Sequence, residues 1–241
     1  MTLVGFARLL LLAALWGGSF LFMRMAASAV GPTWLILARV GLAAIFLWLV
    51  ALWFKKGLRA SHYWRHYLVL GFFNSALPFL LFAYAAQTIY ASLLSILNAT
   101  APMWAAVIAR VWHKSELSMP KWVGMGAGLT GVAVLAGFES MALSAHGMWA
   151  IAAGLAATLS YGIATNYTKV APTVDSFSNA YGSMWAATLL MIPVALATPI
   201  PAEVPMVPTG LAVLALGIVC SGVAYLIYFR LIADFGGVSA L

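Results

Sequence analysis

The sequence predicts an all-α integral membrane protein, and three observations carry that prediction. The 241 residues are 65% hydrophobic and 7% charged, with a mean hydropathy of +1.03. A soluble domain of that balance would lack the polar surface it needs against water. The apolar residues gather into runs of about 20, the length that crosses a hydrocarbon core as a helix. Those runs are continuously apolar and do not alternate, which excludes the strands of a membrane barrel.

On that ruler eight spans are predicted, roughly over residues 7–27, 33–54, 67–88, 91–112, 121–138, 147–168, 176–198 and 209–231. The first run lacks a small-residue cleavage site and is followed by further spans, so it reads as helix one rather than a signal peptide. The formal net charge is +7. Its carriers lie between the apolar runs, where cytoplasmic anchoring accounts for them and a nucleic-acid partner is not needed. Arg8, the group Lys55, Lys56, Arg59 and Arg65, the group Arg110, Lys114 and Lys121, then Lys169 and Arg230 mark one side. Arg24 is nearly alone on the other. The expectation is a multi-pass protein of the cell (inner) membrane with a cytoplasmic N-terminus. The single Cys220 excludes an intramolecular disulfide framework.

One stretch is echoed. Leu68–Leu94 returns weakly as 214–240 at an offset of 146, with Gly71 on Gly217, Ser75 on Ser221, and Phe79 and Phe82 on Tyr225 and Tyr228. At an offset of 145, Trp16-Gly17 falls on Tyr161-Gly162 and Arg24 on Lys169. Two echoes at nearly one offset point to a duplication; chance likeness among Leu/Gly/Ala-rich helices is the competing account. The offset covers five spans, an odd number, so the second copy would enter the membrane from the opposite side. The predicted plan is therefore two inverted five-helix repeats. Residues 1–138 form the first (helices 1–5), and residues 139–241 hold helices 6–8 and the start of helix 9. The last residues, from Gly236 to Leu241, match the opening of helix 4 at Tyr90–Leu93. Either the ten-helix design is truncated here, or the protein has eight spans by nature.

Several short motifs carry a family resemblance. Trp16-Gly17-Gly18-Ser19-Phe20 resembles the W-G-x-x-F of EamA-type proteins in the drug/metabolite transporter superfamily. Pro32 followed by Leu37-Ala38-Arg39 resembles their P…A-x-R-F, with Val40 at the aromatic position. The run from Asn98 to Met103 resembles their fourth-helix S-x-x-P-[LV]. Ser115-Glu116-Leu117-Ser118 with Trp122-Val123-Gly124 resembles the joint between helices four and five, with Lys114 where Gly is common. The order and spacing of these motifs follow the family. The resemblance implies ten helices in two inverted repeats, a central substrate cavity, cytoplasmic termini, and export of amino acids or other small metabolites.

Polar groups inside spans are costly in lipid and tend to face the bundle interior or a wet cavity. Asn74 and Pro78 share a face of helix three, and Pro78 removes the donor for the Asn74 carbonyl. Ser95, Asn98 and Pro102 repeat that arrangement in helix four. Helical glue or satisfied kinks would use the same residues. Tyr161 of helix six and Ser221 and Tyr225 of helix eight add further candidates; Trp16 and Tyr225 lie too deep for an interfacial belt, unlike Trp34, Trp53, Trp64, Trp112 and Trp122. Aromatics of this kind can stack an organic substrate or cation. The expected substrate site is thus Trp16, Asn74, Pro78, Ser95, Asn98, Tyr161, Ser221 and Tyr225. Arg39 reads first as a snorkelling side chain and second as a carboxylate ligand. Arg24 and Lys169 read as helix-end anchors, with a gate role open to all three cations.

No Asp or Glu lies within a predicted span, so neither a carboxylate proton relay nor an intramembrane aspartyl protease is legible. His62 and His66 have the spacing of metal ligands but lack the adjacent Glu, and read as interfacial anchors. No phosphate-binding loop, metal site or cofactor motif is present. Gly124, Gly128 and Gly131 offer a small-residue face on helix five, for bundle packing or a homodimer contact. The sequence therefore reads as a secondary transporter of a small organic metabolite working by alternating access, and not as an enzyme. The other reading is a non-transporting scaffold or sensor. The expected partners are a small-molecule substrate and the bilayer.

Overall fold

The computed structural model describes residues 3–137, 144–201 and 207–235, and the regular structure among them is entirely helical. Eight rods follow in order. They are α1 Leu3–Val30, α2 Pro32–Trp53, α3 Ala60–Ala85, α4 Ala91–His113, α5 Met119–Gly137, α6 Ala145–Tyr167 and α7 Ser176–Leu196, then α8 over 207–235. Seven of them are long and apolar enough to cross a membrane. The exception is α5. Its 19 residues open with Pro120 and Lys121 and include five glycines, which dilute its apolar character, and none of them is buried. It leans on the first half of α4. Phe138, at the end of the expected fifth span, and the expected opening of a ninth at 236–241 lie outside the described residues.

Local chemistry sets the helix ends. Gly31 turns the chain from α1 into α2 at φ 79°, a value that suits a residue without a side chain. Pro32 follows at the first position of α2, where a missing N–H costs nothing. Ser144 Oγ accepts from the Gly147 N–H at 3.0 Å, and Asp175 Oδ1 accepts from the Ser178 N–H at 3.1 Å, capping α6 and α7.

The packing is alanine-rich and close. One core cluster runs through α1–α4 and α6–α8, with Leu35, Ile36, Leu47, Phe82, Leu94, Met184 and Leu216 at its centre. Two glycines show why small residues were needed. A Cβ on Gly71 of α3 would stand 2.7 Å from the Ala186 Cβ and 2.8 Å from the Ser183 carbonyl oxygen of α7. A Cβ on Gly217 of α8 would stand 2.5 Å from the Leu42 Cβ and 3.2 Å from the Arg39 carbonyl oxygen of α2. Van der Waals contact and polar ties hold such interfaces where no water drives association.

Two helices depart from α geometry. In α3 the segment Phe72–Ala76 is π-helical, and in α8 the segment Ala215–Val223 is. The causes differ. In α3, Pro78 cannot donate to the Asn74 carbonyl, and the Leu77 N–H reaches back five residues to the Phe72 carbonyl. In α8 the only proline, Pro208, lies at the helix start, seven residues before the π segment; there the Ala224 N–H reaches back five residues to the Val219 carbonyl, and Ser221 Oγ donates to the Leu216 carbonyl at 2.9 Å. Helix α4 breaks as well. Its first part ends at Asn98 and its second begins at Ala101, with Pro102 at the start. The Thr100 hydroxyl donates to the Leu97 carbonyl at 2.7 Å across that break.

Candidate functional site

The three irregular helices meet around a cavity of about 510 Å3, within the range of small-molecule sites. Trp16, Ser19, Phe20 and Met23 of α1 form one wall. The broken part of α4 supplies Asn98, Ala99, Ala101, Pro102 and Ala105. Asn74, Phe79 and Phe82 come from α3 and Tyr161 and Thr165 from α6. Cys220, Tyr225 and Tyr228 come from α8, and Arg39 alone comes from α2. A smaller depression of about 280 Å3, between α4 and α5, has Lys121 as its one charged side chain and no convergent polar groups.

Of the eight residues expected to bind substrate, Trp16, Asn74, Asn98, Tyr161 and Tyr225 line this cavity. The Asn74 amide donates to the Tyr225 hydroxyl at 3.3 Å, joining α3 to α8 across it. The Asn98 amide makes no hydrogen bond among the described residues, and Pro102 denies the Asn98 carbonyl its usual donor. Trp16 meets Tyr228 with ring centroids 5.6 Å apart, and Phe82 stacks on Tyr161 at 6.3 Å. The other three expected residues stand back. Pro78 is buried in the core, and Ser95 Oγ donates to the Ser92 carbonyl at 2.7 Å. Ser221 is buried behind the wall, where its hydroxyl accepts from Arg39 Nε at 3.1 Å.

The three expected cations separate. Arg39 does not snorkel: it is 4% exposed, and its guanidinium carbon lies 3.8 Å from the Phe79 ring centroid. Only seven residues into α2, it turns inward because α8 offers Ser221 and α3 offers an aromatic face. Arg24 is outside the cavity, where its Nη1 donates to the Ala86 carbonyl at 2.6 Å and caps the end of α3. Lys169 is exposed and donates to Asn166 Oδ1 at 3.3 Å. The Asn166 amide in turn donates to the carbonyls of Ala105 and Gly162 at 2.8 and 2.9 Å, tying α6 to α4.

His66 also departs from its expectation as an interfacial anchor. It is buried, its Nε2 faces Asn179 Oδ1 at 2.8 Å, and its Nδ1 faces the Tyr167 hydroxyl at 3.2 Å. Asn179 donates its amide to the Val174 carbonyl at 3.3 Å, which turns the side-chain oxygen toward the ring. Nε2 therefore donates to Asn179. His66 ties α3 to α6 and α7, while His62 remains exposed.

Sequence reasoning passed over Phe20, Phe79, Phe82 and Cys220 as lining residues, and noted Thr165 and Tyr228 on the polar stripes of helices six and eight without placing them in the site. The signal for them was the echo itself. At the offset of 146, Asn74 pairs with Cys220, Phe79 with Tyr225 and Phe82 with Tyr228. At 145, Trp16 pairs with Tyr161 and Phe20 with Thr165. Every member of these five pairs lines the cavity.

A bundle of apolar helices enclosing an aromatic, amide-bearing cavity defines a multi-pass α-helical membrane protein with an internal ligand-sized site. The EamA-like transporter family model matches residues 3–137, more than half of the sequence, and the chain belongs to that family. Over 126 residues, 52% of this chain, it is 28% identical to the Uncharacterized transporter YdfC of Bacillus subtilis (strain 168). The matched region spans 41% of that relative's length. One protein of known crystal structure has the same fold, with a TM-score of 0.65 at 19% identity over 96% of this chain and 78% of its own.

Proposed function

We propose that this chain forms a secondary transporter that moves a small organic metabolite across the cytoplasmic membrane by alternating access, with the internal cavity as its substrate site. The observation that carries this reading is the cavity's pairing: positions related by the echo line it from both halves of the sequence. The close contacts are reciprocal too. Gly71 of α3 packs on α7, and its counterpart Gly217 of α8 packs on α2. An inverted duplication explains both, and it supplies the two related conformations that alternating access needs. Amino-acid export, a cytoplasmic N-terminus and an inner-membrane location complete the proposal. The face of α5 at Gly124 and Gly131, with no neighbouring atom within 4 Å, supports a homodimer contact there.

The test is flux. Liposomes containing the protein are expected to take up labelled amino acids saturably. Asn98→Ala and Tyr225→Ala, each removing a polar group from the cavity wall, are expected to lower that flux about tenfold. Unchanged flux in both variants would remove the cavity as the substrate site.

A further inference from the structure

The cavity is symmetric in its aromatics and asymmetric in its charge. Arg39 is the one charged residue in its lining. Its counterpart at the 145 offset is Met184, buried in α7 and uncharged. No Asp or Glu lines the cavity, and no carboxylate pairs with Arg39 among the described residues. The guanidinium is held on two sides, by the Phe79 ring and by the Nε hydrogen bond to Ser221. Ser221 is itself fixed by donating to the Leu216 carbonyl inside the π-helical segment of α8. The two terminal nitrogens of Arg39 have no acceptor among the described residues.

A buried cation without a counter-charge is costly in a bundle surrounded by lipid. Guanidinium terminal nitrogens present paired donors that fit a carboxylate in two parallel bonds. We propose that the cavity selects small organic carboxylates with an aromatic or apolar body, and that the terminal nitrogens of Arg39 hold the carboxylate. Ser221 is then a positioning residue, which sets the guanidinium plane from the π-helical segment. The aromatic body rests among Trp16, Phe82, Tyr161 and Tyr225. An α-ammonium group meets no carboxylate in this cavity, so an amino acid is recognised by its acid end. This inference rests on the cavity being the substrate site.

The experiment measures binding to the full chain in lipid nanodiscs with four matched probes: 3-phenylpropionate, phenylalanine, and the amides of both. The two carboxylates are expected to bind at least about tenfold more tightly than their amides. Arg39→Gln is expected to abolish that preference and Arg39→Lys to keep part of it. Ser221→Ala is expected to weaken the carboxylates while leaving the amides unchanged. Arg110→Gln, an equal loss of charge at the exposed end of α4, is expected to change nothing. Thermal unfolding of each ligand-free variant separates lost folding from lost recognition. If Arg39→Gln does not fold, Arg39→Lys and the wild-type probe series decide the matter. Amides binding as tightly as carboxylates, or carboxylate affinity that survives Arg39→Gln, overturns the carboxylate site and leaves the transporter reading standing. Binding by none of the four probes overturns the carboxylate site and withdraws the cavity as the substrate site with it.

Discussion

At the residue scale, what matters is where each side chain's neighbours are, and the sequence records this unevenly. Gly71 and Gly217 each occupy a place where a methyl group would strike another helix, against backbone in one case and against a Cβ in the other. Gly71→Ala and Gly217→Ala are each expected to destabilise the protein by about 1–3 kcal/mol, since a tightly packed interface cannot absorb the extra atom. Gly17→Ala, with nothing within 4 Å, is the matched control. Thermal unfolding in one detergent reads all three. Asn166→Ala is expected to cost about 1–3 kcal/mol by the same measurement, because it removes a buried amide whose hydrogen bond to the Ala105 carbonyl ties α6 to α4. The echo pairs Gly71 with Gly217, and so marks both glycines. The inward turn of Arg39 was not legible: its depth in the span fits snorkelling, and only the third dimension brings Ser221 and Phe79 beside it.

Whole elements were easier to read than residues, because continuous apolarity over about 20 residues has few physical outcomes. Seven of the eight rods follow from it directly, and α5, diluted by its glycines, does not. Their irregularities follow less directly. Pro78 and Pro102 announce the departures in α3 and α4 by their missing N–H groups. The π-helical segment of α8 has no proline; its Ala224 N–H bonds five residues back to Val219, and the Ser221 hydroxyl bonds five residues back to Leu216. A π segment carries an extra residue relative to an α-helix, so it rotates everything beyond it. Deleting Val219 from α8 is expected to turn the following residues by roughly 100°. That would carry Tyr225 and Tyr228 off the cavity wall. Helix content by circular dichroism should persist while ligand-induced stabilisation disappears.

At the scale of the molecule, the cavity assembles from six helices that are distant in sequence, with α5 and α7 outside it. Periodicity within one helix identifies a polar face but not which faces converge. That is why Ser95 looked as eligible as Asn98, although only Asn98, beside the break in α4, lines the cavity. The echo was the one sequence feature with global content, since it relates positions in different halves. Orientation also belongs to this scale. Cysteines introduced at Lys56 and Arg59 in a Cys220→Ser background are expected to react with an impermeant reagent only after the cytoplasmic side is exposed. Labelling of intact cells at those sites would reverse the proposed topology.

Cys220 itself carries a practical consequence. It is the only thiol in the chain, it is 2% exposed, and it stands on the cavity wall opposite the counterpart position Asn74. The native protein therefore contains its own kinetic reporter. Under the proposed alternating access, the rate at which maleimides of graded size reach that sulfur would measure how often the cavity opens, and the side from which they are added would tell which mouth had opened. A ligand seated in the cavity would slow the same reaction, so occupancy and opening can be followed with one unmodified atom.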